Sequence, residues 1–404
     1  MAARASLALL VGVLVAASCG GGDDTPTLAA LVDDLGLTQY AGRIDPVVSS
    51  TDGGVTTYTF DTTQGPMCLR GGAYKVGVRD AGSKDLLIFL QGGGVCSKQF
   101  CLAVNAAPDG VPDGDILNPA VAANPAAGWN VVYLPYCDAS FFLGDAAYDD
   151  NVNGNGKRWH RGLANVTAGF EVAAKLFPHP SRVMLAGASG GAYGLLLAWP
   201  LLRHYYPDVE LIVMADSGIG IAKDGNDAFV QGLLDEINIS RFIPKDCADC
   251  LQNGHMTGIL GYFLQRDPAV RIGTYSSWCD GVLSAIFMQI PGTQFAKGLA
   301  EQTDRIAAAY PDRFRRFITD GQTHTTLLGD VTGIIGTDIN AVELPAGMSI
   351  TNLASVDIGS LKTMKSGNLA ESAWLAALIA GDLATWVDVK EPAGTPPAAG
   401  QGAP

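Results

Sequence analysis

Residues 182–199, RVMLAGASGGAYGLLLAW, change hydrophobic period within five residues. VMLAG is continuously apolar, as a strand buried on both faces must be, whereas AYGLLLAW repeats its apolar residues at helical spacing. Only Gly187-Ala188-Ser189-Gly190-Gly191 lies between them, too little for a loop. A strand that becomes a helix so abruptly forces its turn residue into a sparsely populated backbone region. It also needs small neighbours where backbone approaches backbone. Such a unit requires strands on either side and helices above and below, so an α/β sheet is predicted.

The rest of the chain agrees. Candidate strands are 55–60, 74–79, 85–90, 130–136, 182–187, 209–215, 270–276 and 313–319, with helical patterns at 161–177, 191–206, 226–237, 255–266, 293–310 and 371–387. The first two strands have no helix between them and are predicted to pair antiparallel. The others alternate with helices, giving a mostly parallel sheet of eight strands covered on both faces. One catalytic domain is expected over 51–390, after a tether and N-terminal helix at 20–50 and before a disordered Pro- and Gly-rich tail at 391–404. Residues 220–265 and 281–311 exceed what bare crossovers need and are expected to cap the site.

With 404 residues, 48% of them hydrophobic, the chain can bury a large core. A net charge of −14 argues against nucleic acid as a partner, since that affinity comes from a basic footprint. The first residues combine Arg4 with an apolar run of about ten residues, half of what a bilayer span needs, which reads as a signal peptide. Ala16-Ala17-Ser18 before Cys19 is similar to a bacterial lipoprotein cleavage box, so residues 1–19 are expected to end in lipidation at Cys19. Export, the cell envelope and a membrane contact made only through that lipid follow. In an exported protein the other seven cysteines are expected to form disulfides, with one left over. For Cys247-Ala-Asp-Cys250 zinc is the rival reading, though a lone CxxC is poor support for metal.

The turn fits G-x-S-x-G in the strand–turn–helix setting of a nucleophile elbow, the signature of the α/β-hydrolase fold. Ser189 is the candidate nucleophile. Three glycines, Gly92 to Gly94, follow the third strand, where that fold takes one oxyanion amide; Gly93 or Gly94 is expected to act with Gly190. A serine hydroxyl needs a base, and His324 follows the last predicted strand, where the fold carries its histidine. Asp280, after the seventh strand, is the expected acid. Asp216 at the end of the sixth strand and Asp320 near the histidine are the alternatives. No metal or cofactor is called for.

Several pieces together resemble the pectin acetylesterase/Notum family of α/β-hydrolases: MCLRGGAY, FLQGGGVCSKQFC, LPYCDASFFLGD, WHRG, LAGASGGAYG, MADSG, WCDG and QTHTTL, in the family's order from about residue 60 to 330. The C-terminal WLAALIAGDLATWVDV looks like the closing helix of bacterial members. The resemblance implies Ser189, Asp280 and His324 as a triad, with Gly93, Gly94 and Gly190 around the oxyanion. It also implies disulfides Cys68–Cys137 and Cys96–Cys101, and a third from Cys279 to Cys247 or Cys250. Gly94 and Val95 stand where the family often has an aromatic residue, so the acyl pocket is expected to differ in shape. The function implied is a serine carboxylic ester hydrolase, monomeric, removing acyl groups from an O-acylated saccharide or a small ester. A longer-chain lipid or polyester esterase is the alternative, helped by the apolar runs GILGYFL and AIFMQIP. A binding lipoprotein on an inactive scaffold is the non-enzymatic one.

Overall fold

The computed structural model describes residues 27–150, 156–345, 347–349 and 355–394. The expected signal peptide, the lipidation site at Cys19 and residues 395–404 lie outside the described residues. The main sheet has ten strands: β1 (Pro46–Asp52), β2 (Val55–Phe60), β3 (Lys75–Arg79), β4 (Asp85–Leu90), β5 (Asn130–Leu134), β6 (Arg182–Ala188), β7 (Glu210–Asp216), β8 (Arg271–Ser277), β9 (Phe314–Thr319) and β10 (Val389–Lys390). Their spatial order is β1-β2-β3-β5-β4-β6-β7-β8-β9-β10. Pairing is antiparallel from β1 to β5 across the order and parallel from β5 to β10. This mostly parallel sheet with its helices is consistent with an α/β-hydrolase-like fold.

All eight expected strands are present as β2 to β9, and the count of eight is corrected to ten. Both additions sit at edges, where the hydrophobic pattern is silent. β1 is largely exposed, Val47 and Val48 included, and is joined to β2 by Gly53 and Gly54 with φ of 53° and 80°, values suited to a tight hairpin turn. β10 has two residues, too few to show a period.

The helices are α1 (Leu28–Asp34), α2 (Gly162–Leu176), α3 (Gly190–Tyr205), α4 (Asp227–Glu236), α5 (Thr257–Leu264), α6 (Gly292–Ala309), α7 (Val331–Ile335) and α8 (Glu371–Ala380). Among the described residues no helix is long and apolar enough to cross a membrane. The core divides at the sheet. Leu86, Ile88, Val183, Leu185, Leu211 and Val213 face one apolar cluster with residues of α2, α3, α5 and α6. Their alternating neighbours Leu87, Phe89, Met184, Ala186, Ile212 and Met214 face the other, with Trp374, Leu378 and Trp386. Burial on both faces explains why these strands read as unbroken apolar runs.

α8 stops at Gly381, whose φ of 66° caps it, so the pattern read as helix to 387 ends earlier. The tail boundary at 391 is also corrected. Glu391 donates its amide to Ile318 and accepts from the Trp278 indole, and the amide of Gly394 reaches Asp320, because β10 carries the chain along β9.

Disulfides join Cys68 to Cys137 and Cys96 to Cys101, as the resemblance implied. The third expectation is corrected: Cys247 bonds Cys250, and Cys279 is free. The CxxC spacing brings its own two cysteines within one turn, Cα to Cα 5.4 Å. Cys279 is fixed elsewhere, its amide on the Gly321 carbonyl and its side chain against Gly292 at the start of α6. A bonded pair offers no thiolate, which removes the ligands of the zinc alternative.

Candidate active site

The chain runs out along β4 to β5 on one side and returns to β6 on the other, so β4 and β6 are neighbours with diverging connections. Open α/β sheets leave a crevice at such a switch point, beyond the carboxyl ends of the strands. Here the ends of β4 and β6 carry Gly92–Gly94 and Ser189.

Ser189 lies between β6 and α3 with φ 52° and ψ −120°, a strained conformation for a residue with a side chain. Contacts over-determine it. Its amide donates to the Asp216 carbonyl at 2.8 Å and its carbonyl accepts from Tyr193 at 3.1 Å. Gly191 is required by close approach, since a Cβ there would lie 2.2 Å from the Leu90 carbonyl oxygen. The first amides of α3 face the serine.

The glycine loop after β4 is pinned from three sides. The Tyr136 hydroxyl donates to the Gly94 carbonyl at 2.8 Å and accepts the amide of Phe141 at 2.8 Å. Gln91, buried at the end of β4, accepts from the Tyr136 amide and donates to the Ile334 carbonyl. The Cys96–Cys101 disulfide closes a small hairpin of Gly94–Cys96 against Cys101–Val104, which pairs in turn with Val342–Glu343. Among the described residues the amides of Gly93 and Gly190 donate to nothing, leaving both for an anion.

His324 and Asp280 come together in the interior, 2% and 0% exposed. Nδ1 of the imidazole donates to the Asp280 carboxylate at 2.8 and 3.0 Å. That carboxylate also accepts the amides of Val282 and Leu283 at 3.1 and 2.9 Å, so it is aimed by its own turn. Nε2 of His324 is buried with no hydrogen-bond partner among the described residues. His324 and Ser189 line the same cavity.

The alternative acids go elsewhere. Asp216 is fully buried; its carboxylate accepts the amides of Thr326 at 2.9 and 3.1 Å and of Leu327 at 2.9 Å, just beyond the histidine. Burial pushes its pKa up to about 6 against the pull of those amides. Asp320 is exposed and accepts from Gly394. Two other histidines are buried and engaged: His160 bonds the Asp138 carbonyl, and His255 accepts the amide of Ala222.

Two cavities meet at Ser189. One is lined by Phe229 and Leu233 of α4, Met256, and Leu283 of the wide helical turn Val282–Met288. The other holds His324 and is walled by Leu102, Val104, Ile334, Ile335 and Val342.

The family model for Pectinacetylesterase matches residues 49–256, just over half of the chain. The chain belongs to the pectinacetylesterase family. No curated protein matches it. The matched span contains the glycine loop and Ser189. Asp280 and His324 lie past its end, so for them the internal geometry carries the argument.

Reading the sequence missed how pectinacetylesterase motifs brace one another. The loop of LPYCDASFFLGD holds Ala139, Phe141 and Phe142 at φ of 55–58°, and Gly162 of WHRG and Gly194 of α3 leave the room it needs. Ser217 of MADSG accepts the Thr325 amide at 2.9 Å, which ties that motif to the histidine of QTHTTL. Glu371, fully buried at the start of α8, accepts the Thr326 hydroxyl at 2.8 Å. Burial, and after it the Asp216 charge, raise its pKa well above the usual carboxylate range. A lone glutamate before an apolar helix gave no sign of that burial.

Proposed function

We propose that the protein is a serine carboxylic ester hydrolase, acting first on acetyl esters, in which Ser189, His324 and Asp280 form the catalytic triad. The bond from His324 Nδ1 to Asp280 carries the reading. A buried carboxylate on Nδ1 fixes the tautomer that leaves Nε2 as a base and stabilises the imidazolium formed on proton transfer. Ser189 Oγ attacks the acyl carbonyl and gives its proton to Nε2. The oxyanion takes up the amides of Gly93 and Gly190, with Gly94 shaping the loop. Collapse passes the proton to the leaving alcohol, and water, activated by the same nitrogen, frees the acid.

Membership in the family supports acetyl as the acyl group. A second reading, a longer acyl chain, is favoured by the cavity under α4. Among the described residues its side chains are apolar apart from Ser189 and Tyr193, whose hydroxyl is taken up by the Ile221 carbonyl. Export, with lipid at Cys19, belongs to the same proposal; the three disulfides support the export part of it.

The test is labelling by a fluorophosphonate probe together with p-nitrophenyl acetate turnover. Wild-type protein is expected to label at Ser189, and Ser189→Ala to lose labelling and at least about 10⁴-fold in kcat. A folded Ser189→Ala variant with unchanged turnover overturns the proposal.

A further inference from the structure

We infer that the substrate's alcohol, and not only its acyl group, is apolar: an aliphatic or aryl alcohol next to the scissile bond in preference to a sugar. This rests on the ester-hydrolase reading above. In that chemistry the leaving oxygen must face Nε2 of His324, which protonates it, while the oxyanion faces the amides and the acyl substituent points away. The two cavities at Ser189 are thereby told apart. The one under α4 does not include His324 and takes the acyl group; the one that His324 lines takes the alcohol.

Among the described residues, the alcohol cavity is lined by no polar side chain besides Ser189 and His324 themselves. Leu102 and Val104 form one wall, from the hairpin held by Cys96–Cys101. Ile334 and Ile335 of α7 form another, and Val342 closes the side from the strand that Arg70 anchors through two bonds to Glu343, 2.5 and 2.6 Å. Sugar hydroxyls placed there would lose water and find no partner among the described side chains, weakening binding by about fivefold or more for each one buried. Methylene groups gain from the same walls, by up to about fourfold in binding for each.

The experiment fixes the acyl group as acetate and varies the alcohol, following acid release by pH-stat: methyl, hexyl, octyl and 2-naphthyl acetate against glucose pentaacetate and acetylated xylan. We expect kcat/KM to rise at least tenfold from methyl to hexyl acetate and to be lowest for the two saccharides. In Ile335→Ser the hexyl-to-methyl ratio should fall at least fivefold. In Leu233→Ser, on the acyl side, that ratio should hold while the preference between ethyl butyrate and ethyl acetate shifts; thermal unfolding of both variants checks their fold. A flat alcohol series, or faster hydrolysis of the saccharides, in protein whose Ser189 labels with fluorophosphonate overturns the inference and leaves the ester-hydrolase reading intact. Failure of Ser189 to label instead removes that reading, and this inference with it.

Discussion

Asp216 lies under Ser189 and is bonded to it: its carbonyl accepts the Ser189 amide at 2.8 Å, while its carboxylate accepts the amides of Thr326 and Leu327. One buried residue at the end of β7 thus holds the strained serine turn and the chain that follows His324. Ser217 beside it repeats the arrangement through Thr325. The proposed nucleophile and the proposed base follow strands β6 and β9, and this dipeptide is bonded to both segments.

The two buried aspartates are expected to respond differently to the same change. Asp280→Asn should lower kcat by about 10⁴-fold with little loss of stability, because the amide favours the wrong tautomer of His324. Asp216→Asn can keep its oxygen where Oδ2 accepts both amides, but it then turns an NH2 towards the Thr326 amide in place of Oδ1, 3.1 Å away. It should destabilise the fold by about 1–3 kcal/mol and lower kcat much less. Urea unfolding beside steady-state kinetics checks this; a larger kcat loss in Asp216→Asn would make Asp216 the acid.

Glu371 supplies a pH test of the interior. Its folded pKa is raised by burial and by Asp216, so below the unfolded value near 4.3 its contribution is fully present. As pH rises past that value the unfolded chain gains by ionising first, and stability falls until the folded group ionises as well. Glu371→Gln abolishes this term while keeping an acceptor for Thr326. The Tm of the variant minus that of wild type should therefore increase as pH is raised from 4 towards 7. A difference that stays constant over that range would mean that the carboxyl is not perturbed.

Gly191→Ala should be among the most damaging small changes in the chain. Its Cβ would lie 2.2 Å from the Leu90 carbonyl oxygen and 2.6 Å from that of Gln91, where backbone has to move. A loss of at least about 2 kcal/mol and of fluorophosphonate labelling is expected. Gly128→Ala, which meets nothing within 4 Å, should be near neutral by the same denaturant titration.

Peptide mapping without reduction should recover cross-links 68–137, 96–101 and 247–250, with Cys279 as a thiol. Burial raises the pKa of that thiol, with Asp320 adding, so alkylation of the native protein should be slow and should speed up on unfolding. A peptide linking residue 279 to 247 or 250 would refute the assignment.

The sequence by itself determined the strand and helix succession, the turn around Ser189 and the glycine loop. Each is written in adjacent residues, through hydrophobic period or a need for missing side chains. It also put three aspartates, Asp216, Asp280 and Asp320, at or just past the ends of consecutive strands β7, β8 and β9. Which of them meets His324 depends on side-chain direction and on the turn after each strand, and only the folded chain fixes that. The free cysteine was left open for the same reason, since a bond depends on distance across space. The apolar wall beside His324 was likewise illegible: α7 and Val342–Glu343 are short pieces, held at the site by the Gln91 side chain on the Ile334 carbonyl and by strand pairing with Cys101–Val104.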